Sequence, residues 1–227
     1  MNVACLFSGG KDSCYSLFNA INQNHTIAGL ITIKSRDSDS FMYHLPNIHL
    51  TEQAALASEL PLIIGEAEKG QEAELWVLYD VLAELKNEKR IDGVLTGAIA
   101  SNYQRKRVDL LCKKLKLKHL APLWGRNQAE LLREMIEHRF SMLVVAVAAK
   151  GLGESWLGRA IDESAVDELL ELQEKFGINV AGEGGELETL VLDCPLFKKK
   201  LVVCESEKKW NGVRGELRIK KVDLAEK

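Results

Sequence analysis

The sequence predicts an α/β protein, built on a doubly wound parallel sheet and completed by a second, smaller α+β domain. Three observations carry this. Over the first 120 or so residues, short apolar runs alternate with segments whose apolar residues recur at helical spacing. The first apolar run ends in Ser-Gly-Gly and passes directly into a helical pattern. After about residue 123 the alternation stops, and β-rich runs and a hairpin signal follow.

Residues 2–7 are apolar and short, as a fully buried strand requires, and residues 12–24 carry Cys14, Leu17, Phe18 and Ile21 on one helical face. Residues 26–33 form a second, β-branched strand. A helix over 51–60 leads into a third strand at 61–64. Leu75, Leu78, Leu82 and Leu85 mark one stripe of a long helix after Gly70, and residues 92–96 (DGVLT) form a strand that turns at Gly97. Val108, Leu111 and Leu115 place a further helix over 103–117. Strands alternating with helices of these lengths imply parallel βαβ units.

Beyond residue 123, Asn127 caps a helix with Glu130 three residues on, and 140–148 is a β-rich run. Residues 162–176 form another helix, which Gly177 ends. Residues 201–203 and 213–222 flank Asn211-Gly212, a hairpin turn. We place a nucleotide-binding domain over 1–122 and a substrate-binding α+β domain over 123–227.

A net charge of -3 and a pI near 6.0 exclude a bulk electrostatic grip on RNA or DNA. Cys5, Cys14, Cys112, Cys194 and Cys204 form no C-x-x-C pair and no leader precedes them, which predicts a reduced, cytoplasmic protein. No apolar stretch approaches the ~20 residues that span a bilayer, so no membrane partner is expected. Lys198, Lys199 and Lys200 read as solvated surface.

The stretch SGGKDS, residues 8–13, states the chemistry. A loop that leaves a parallel strand and enters a helix presents unpaired N–H groups at the positive end of the helix dipole, where anions bind. Gly9 and Gly10 remove the Cβ atoms that would hold a phosphate off the backbone, Ser8 and Ser13 add hydroxyls, and Lys11 adds charge. The spacing fits neither G-x-x-x-x-G-K-[ST] nor G-x-G-x-x-G.

Three more stretches stand out. In TGAIASNYQRKRV, Gly97, Ala98 and Ser101 sit at the carboxyl end of a strand, where open α/β sheets bind ligands, and Arg105 and Arg107 can clamp phosphates. In GLGESWLGRAID, Trp156 and Arg159 lie between glycine turns, and Trp156 reads either as a core anchor or as a ligand contact. In AGEGGELETLVLDCPLF, Glu183, Glu186 and Glu188 crowd one turn, which is costly unless a cation shares the site or a carboxyl is protonated.

SGGKDS resembles the PP-loop of the ATP pyrophosphatases, adenine nucleotide alpha-hydrolases with a Rossmann-like, HUP-type sheet. Together with GAIASNYQRKR, GESWLGR and GEGGELETLVLD, it is similar to the diphthine-ammonia ligase family, and the matching stretches run from residue 8 to residue 197. The resemblance implies that ATP adenylates the carboxylate of diphthine on translation elongation factor 2, with pyrophosphate released, and that ammonia displaces AMP. It also implies magnesium, with Asp12 as its protein carboxylate, and ATP held by residues 8–13, Gly97, Ala98, Ser101, Arg105 and Arg107.

Diphthine carries a trimethylammonium group, and Tyr103, Trp124, Trp156, Glu183 and Glu186 are candidates to face it, with Arg159 and Glu188 beside them. Lys11, Glu183 and Glu186 are the catalytic candidates, Glu183 as the carboxylate that takes a proton from ammonium. Leu187 and Asn102 depart from the family pattern, which favours an aromatic and an acidic residue there. Met42, His44 and His49, in an irregular segment, are further candidates to line the site. No part of the chain is left over for a glutaminase, so free ammonium is the expected nitrogen source, and homo-oligomerisation stays open. The alternatives are a tRNA-modifying enzyme of the same group and a noncatalytic ATP-binding sensor.

Overall fold

The computed structural model describes residues 1–35, 47–68 and 70–227. Met42 and His44 therefore lie outside the described residues. The first half alternates strand and helix: β1 (Asn2–Leu6), α1 (Lys11–Asn22), β2 (Thr26–Ser35), α2 (Thr51–Ser58), β3 (Leu62–Ala67), α3 (Gln71–Lys89), β4 (Gly93–Leu95), α4 (Asn102–Leu115) and β5 (Lys118–Leu120). The five strands are parallel in the order β3-β2-β1-β4-β5. The chain reverses its direction of travel across the sheet at β1, so the crevice between the ends of β1 and β4 is a topological switch point.

Strand β1 shows why this segment sits at the centre. Val3 and Cys5 point into one apolar cluster and Ala4 into the other, all three without solvent exposure. Helices α3 and α4 cover the second face through Leu78, Leu82, Val108 and Leu111. The first face is covered by α1, α2 and the rest of the protein.

That rest comprises α5 (Gln128–Glu137), β6 (Ser141–Val147), α6 (Glu163–Phe176), β7 (Leu187–Asp193), β8 (Lys200–Trp210) and β9 (Gly215–Ala225). Its sheet is antiparallel, in the order β7-β6-β9-β8. The larger apolar cluster runs without a break from Val3 and Leu95 to Val144, Leu190 and Ile219. The change near residue 123 is thus a change of sheet, while one core serves both sheets. Polar contacts pin the same join: Asn47 Nδ2 donates to the Leu217 carbonyl at 2.9 Å, and the Ile219 amide donates to Asn47 Oδ1 at 2.7 Å.

Local capping sets the helix ends. Asn127 Oδ1 accepts the amides of Ala129 and Glu130, and Asp162 Oδ1 accepts that of Ala165. Gly177 ends α6 at φ +72°. Two features differ from the sequence reading. Strand β5, only three residues long, is too short for any periodicity to reveal. The final hairpin turns through residues 211–214 rather than two residues, because Asn211 Oδ1 accepts the amides of both Val213 and Arg214.

Gly97 follows β4 and packs against the start of α1, where an added Cβ would lie 2.6 Å from the Asp12 carbonyl carbon and 2.7 Å from the Ser13 nitrogen. Backbone cannot step aside as a side chain would. We expect Gly97→Ala to cost about 1–3 kcal/mol and to lower the thermal midpoint by several degrees in calorimetry.

Candidate functional site

Helix α1 begins at Gly10, which is extended (φ -77°, ψ 165°) and gives the helix no side-chain cap. Its first-turn amides have no intrahelical acceptor. Gly9 reaches φ +74°, a conformation that glycine adopts at little cost, so the loop folds back under the helix start. Ser8 and Ser13 brace it: their hydroxyl oxygens are 3.2 Å apart, Ser8 Oγ accepts the Gly10 amide at 3.3 Å, and Ser13 Oγ donates to the Gly10 carbonyl at 3.0 Å.

Lys11 is only 3% exposed. Its Nζ donates to Asp12 Oδ2 at 2.8 Å and to the Ala181 carbonyl at 2.5 Å. Asp12 keeps a second oxygen, Oδ1, buried with no hydrogen-bond partner among the described residues. Burial raises the Asp12 carboxyl above its ordinary value, and Lys11 partly opposes that.

The second sheet is docked on this loop. The Lys11 amide donates to Thr189 Oγ1 at 3.2 Å and the Val191 amide to the Gly9 carbonyl at 2.9 Å. The glycine-rich turn ahead of β7 therefore faces the loop, and its three glutamates take three roles. Glu183 joins the halves: Oε1 accepts the Ile99 amide at 2.5 Å and Oε2 that of Ser101 at 3.0 Å. Glu186 folds its own turn, accepting from the Asn179 backbone and side chain and, at 2.8 Å, from the Gly184 amide. Glu188 lines the cavity, and no hydrogen bond to its carboxyl is found among the described residues. Burial pushes its carboxyl up to about 7, against the pull of Lys11 and with the help of Asp12.

A single cavity of about 500 Å³ gathers these groups. Of the residues singled out from the sequence, Ser8, Gly10, Lys11, Asp12, Ser13, Gly97, Ala98, Ser101, Arg105, Glu183 and Glu188 line it. Gly9 does not, and supports the loop from behind. Gly97 serves first to let β4 approach the α1 backbone.

Other predicted site residues are not brought to the cavity. Glu186 is consumed by its turn. Trp156 is 4% exposed in the apolar core, with the Arg159 guanidinium 4.5 Å from its ring centre. Arg159 makes a two-pronged pair with Glu168, at 2.6 and 2.7 Å, which spends both of its outer nitrogens. These two belong to the packing of β6 and α6. The Arg107 guanidinium lies 3.4 Å from the ring centre of Tyr103, and neither lines the cavity. Trp124 touches the site through Arg105, which lies 4.2 Å from its ring centre. His49 Nε2 sits 3.1 Å from the Ile219 carbonyl, at the join of the two halves.

Thr189, Gln104 and Arg214 line the cavity without having been predicted. Thr189 was legible as the polar residue next to Glu188 on a strand. Arg214 arrives from the far hairpin, and nothing in its neighbourhood in sequence announces that.

The diphthamide synthase N-terminal domain family matches residues 1–119, and the diphthamide synthase C-terminal domain family matches residues 127–225. A curated relative from Rattus norvegicus, named diphthine–ammonia ligase, is 44% identical over 226 residues, covering 91% of this chain and 84% of its own. Relatives of the same name from Homo sapiens and Danio rerio are 42% and 40% identical, with 91% of this chain and 84% and 88% of theirs covered. No helix among the described residues is long and apolar enough to cross a membrane.

Because the Glu188 carboxyl is raised from 4.5 to about 7, the folded state binds a proton more tightly than the unfolded state. The contribution of Glu188 to stability therefore falls as pH rises from about 4.5 to 7. In denaturant titrations, Glu188→Gln should gain on the wild type steadily across that window and hold a constant lead above it. Parallel pH curves would contradict the raised value.

Proposed function

The chain belongs to the diphthamide synthase family, and from that membership we propose that it is an ATP-dependent diphthine–ammonia ligase. It adenylates the carboxylate of diphthine on translation elongation factor 2, releases pyrophosphate, and lets ammonia displace AMP to leave the amide. The observation that carries the reading is convergence: the glycine-lysine loop at a helix start, Gly97, Ala98 and Ser101 after β4, and the Glu188 carboxyl all line one cavity.

Each residue contributes a distinct physical task. The Asp12 and Ser13 amides of the first turn of α1, with the Lys11 amide given to Thr189, join the Lys11 ammonium in holding the phosphates that leave as pyrophosphate. To reach them, Lys11 exchanges its contact with the Ala181 carbonyl for phosphate oxygens. Arg105, stacked on Trp124, adds a second cation at the cavity wall. Magnesium fits the donors present, since Asp12 Oδ1 is a buried oxygen with no hydrogen-bond partner among the described residues. The ion commonly takes one or two carboxylates and completes its shell with phosphates and water. When bound, it neutralises charge on the departing pyrophosphate.

Amide formation from ammonium must also dispose of protons. Both Glu183 oxygens are engaged by backbone amides, so we assign Glu183 to holding the Ile99–Ser101 segment in place. Glu188, whose carboxyl carries no hydrogen bond among the described residues, is the carboxylate that accepts the proton. No cysteine suits a glutaminase: Cys5, Cys14, Cys112 and Cys194 are buried, with Cys5 and Cys112 pushed up to about 12, and the exposed Cys204 has its thiol raised by a hydrogen bond to the Asp223 carboxylate. Ammonium itself is the nitrogen source in this reading. Free thiols and a translation-factor substrate support a cytoplasmic setting for this reaction.

The test is the nucleotide product formed from magnesium-ATP, ammonium and diphthine-bearing elongation factor 2. We expect AMP and pyrophosphate, dependent on the factor; ADP and phosphate would overturn the reading. Lys11→Ala should lower the rate at least about 100-fold by removing the phosphate cation. Glu188→Gln should lower kcat by about 100-fold while nucleotide affinity changes less than about twofold. Full activity in Glu188→Gln would return the proton-accepting role to another group.

A further inference from the structure

The cavity has two chemically different ends. Over α1 it is polar and built for phosphates. On the opposite face of the first sheet it is bounded by Leu6, Ile31, Ile33 and Val108, apolar side chains that pack with the α3 and α4 core. A nucleotide whose phosphates lie over α1 has an apolar slot for its base at this second end.

Thr96, the residue after β4, lines the cavity and is 6% exposed. Its Oγ1 lies 2.8 Å from His119 Nε2, and His119 Nδ1 lies 2.7 Å from Asp109 Oδ1. The chain of contacts runs from the cavity wall, through an imidazole with 7% of its side chain exposed, to a carboxylate that is half exposed. Its direction follows from the chemistry of the members. A carboxylate only accepts, so Nδ1 carries the proton that it donates to Asp109. In the neutral imidazole Nε2 then has a lone pair and no hydrogen, and the Thr96 hydroxyl must donate to it. The Thr96 hydrogen is thereby committed, and only oxygen lone pairs remain for a ligand.

We propose that Thr96 selects the base of the nucleotide, accepting a hydrogen bond from an exocyclic amino group, and that His119 and Asp109 are positioning residues that keep its hydroxyl from turning round to donate. The slot then favours a 6-amino purine over one with a keto oxygen at the same position, because the keto oxygen would face lone pairs. A free threonine hydroxyl could serve either base; the imidazole removes that choice. This inference rests on the nucleotide reading above.

The test compares kcat/KM for AMP formation from ATP with kcat/KM for IMP formation from inosine triphosphate, which differs at position 6 of the purine. It uses elongation factor 2 and ammonium, in the wild type, Thr96→Val, Thr96→Ser and Asp109→Ala. The wild type should prefer ATP. Thr96→Val should cut that preference about tenfold, the scale of one hydrogen bond, and Thr96→Ser should restore it. Asp109→Ala frees the imidazole tautomer and should lower the preference in the same direction. Its half-exposed side chain makes it the informative variant should Thr96→Val fail to fold.

Arg105 Nε lies 3.8 Å from Asp109 Oδ2, so Asp109→Ala also alters an arginine at the cavity, but that change affects both triphosphates and cancels in the ratio. Equal preference in the wild type and Thr96→Val, or none in the wild type, overturns the inference. A wild type that makes no AMP from ATP overturns the ligase reading instead.

Discussion

The site depends on the seating of strand β7 on the glycine loop. Two backbone amides and one hydroxyl do it: Lys11 donates to Thr189 Oγ1, and Val191 donates to the Gly9 carbonyl. Each is an ordinary hydrogen bond, worth about 1 kcal/mol net. Their effect comes from position. They bring an antiparallel strand to the mouth of a parallel sheet, which places the glutamate turn across the helix start. An added Cβ at Gly10 would stand 3.2 Å from the Thr189 carbonyl, so the close approach is itself a requirement for glycine. The shared apolar core beneath, from Val3 to Ile219, supplies the larger part of the attraction that keeps the two sheets together.

Charge within the cavity is arranged around one buried cation. Lys11 has Asp12 beside it, and Glu188 feels both. Three ionisable groups in one enclosed space cannot all keep their solution behaviour. The carboxyls of Asp12, Glu183 and Glu188 are all raised, with desolvation the largest cause each time. Glu183 offsets part of that cost through two amide donors, whereas Glu188 has none among the described residues. The difference separates a carboxyl engaged by backbone amides from one with no hydrogen bond among the described residues, and it lies in the backbone around each rather than in the residue type.

Much of this architecture was readable from residue order. β1, α1 and β2 declare themselves by period and by the Gly-Gly break, and Asn127, Asp162 and Gly177 mark helix ends through local hydrogen bonding or backbone freedom. Eleven of the predicted site residues line the cavity, and nine of them follow β1 or β4, because the end of a parallel strand is a position that sequence can locate. The aromatic and arginine residues were less legible. Trp156 with Arg159, and Tyr103 with Arg107, have the composition of a cationic-ligand site, yet each arginine meets the neighbouring ring of its own segment instead. Local pairing of that kind leaves no trace in composition.

The sequence by itself determined the alternation of elements, the glycine loop at the start of α1 and the family resemblance, since all three are written within short stretches whose physics is local. Only the tertiary structure decided which of three neighbouring glutamates is free, that Thr96 meets His119 and Asp109, and that Arg214 reaches a cavity more than 110 residues from Gly97 in sequence. Those outcomes depend on where distant backbone amides point once two sheets close over one core. No spacing rule along the chain encodes that direction.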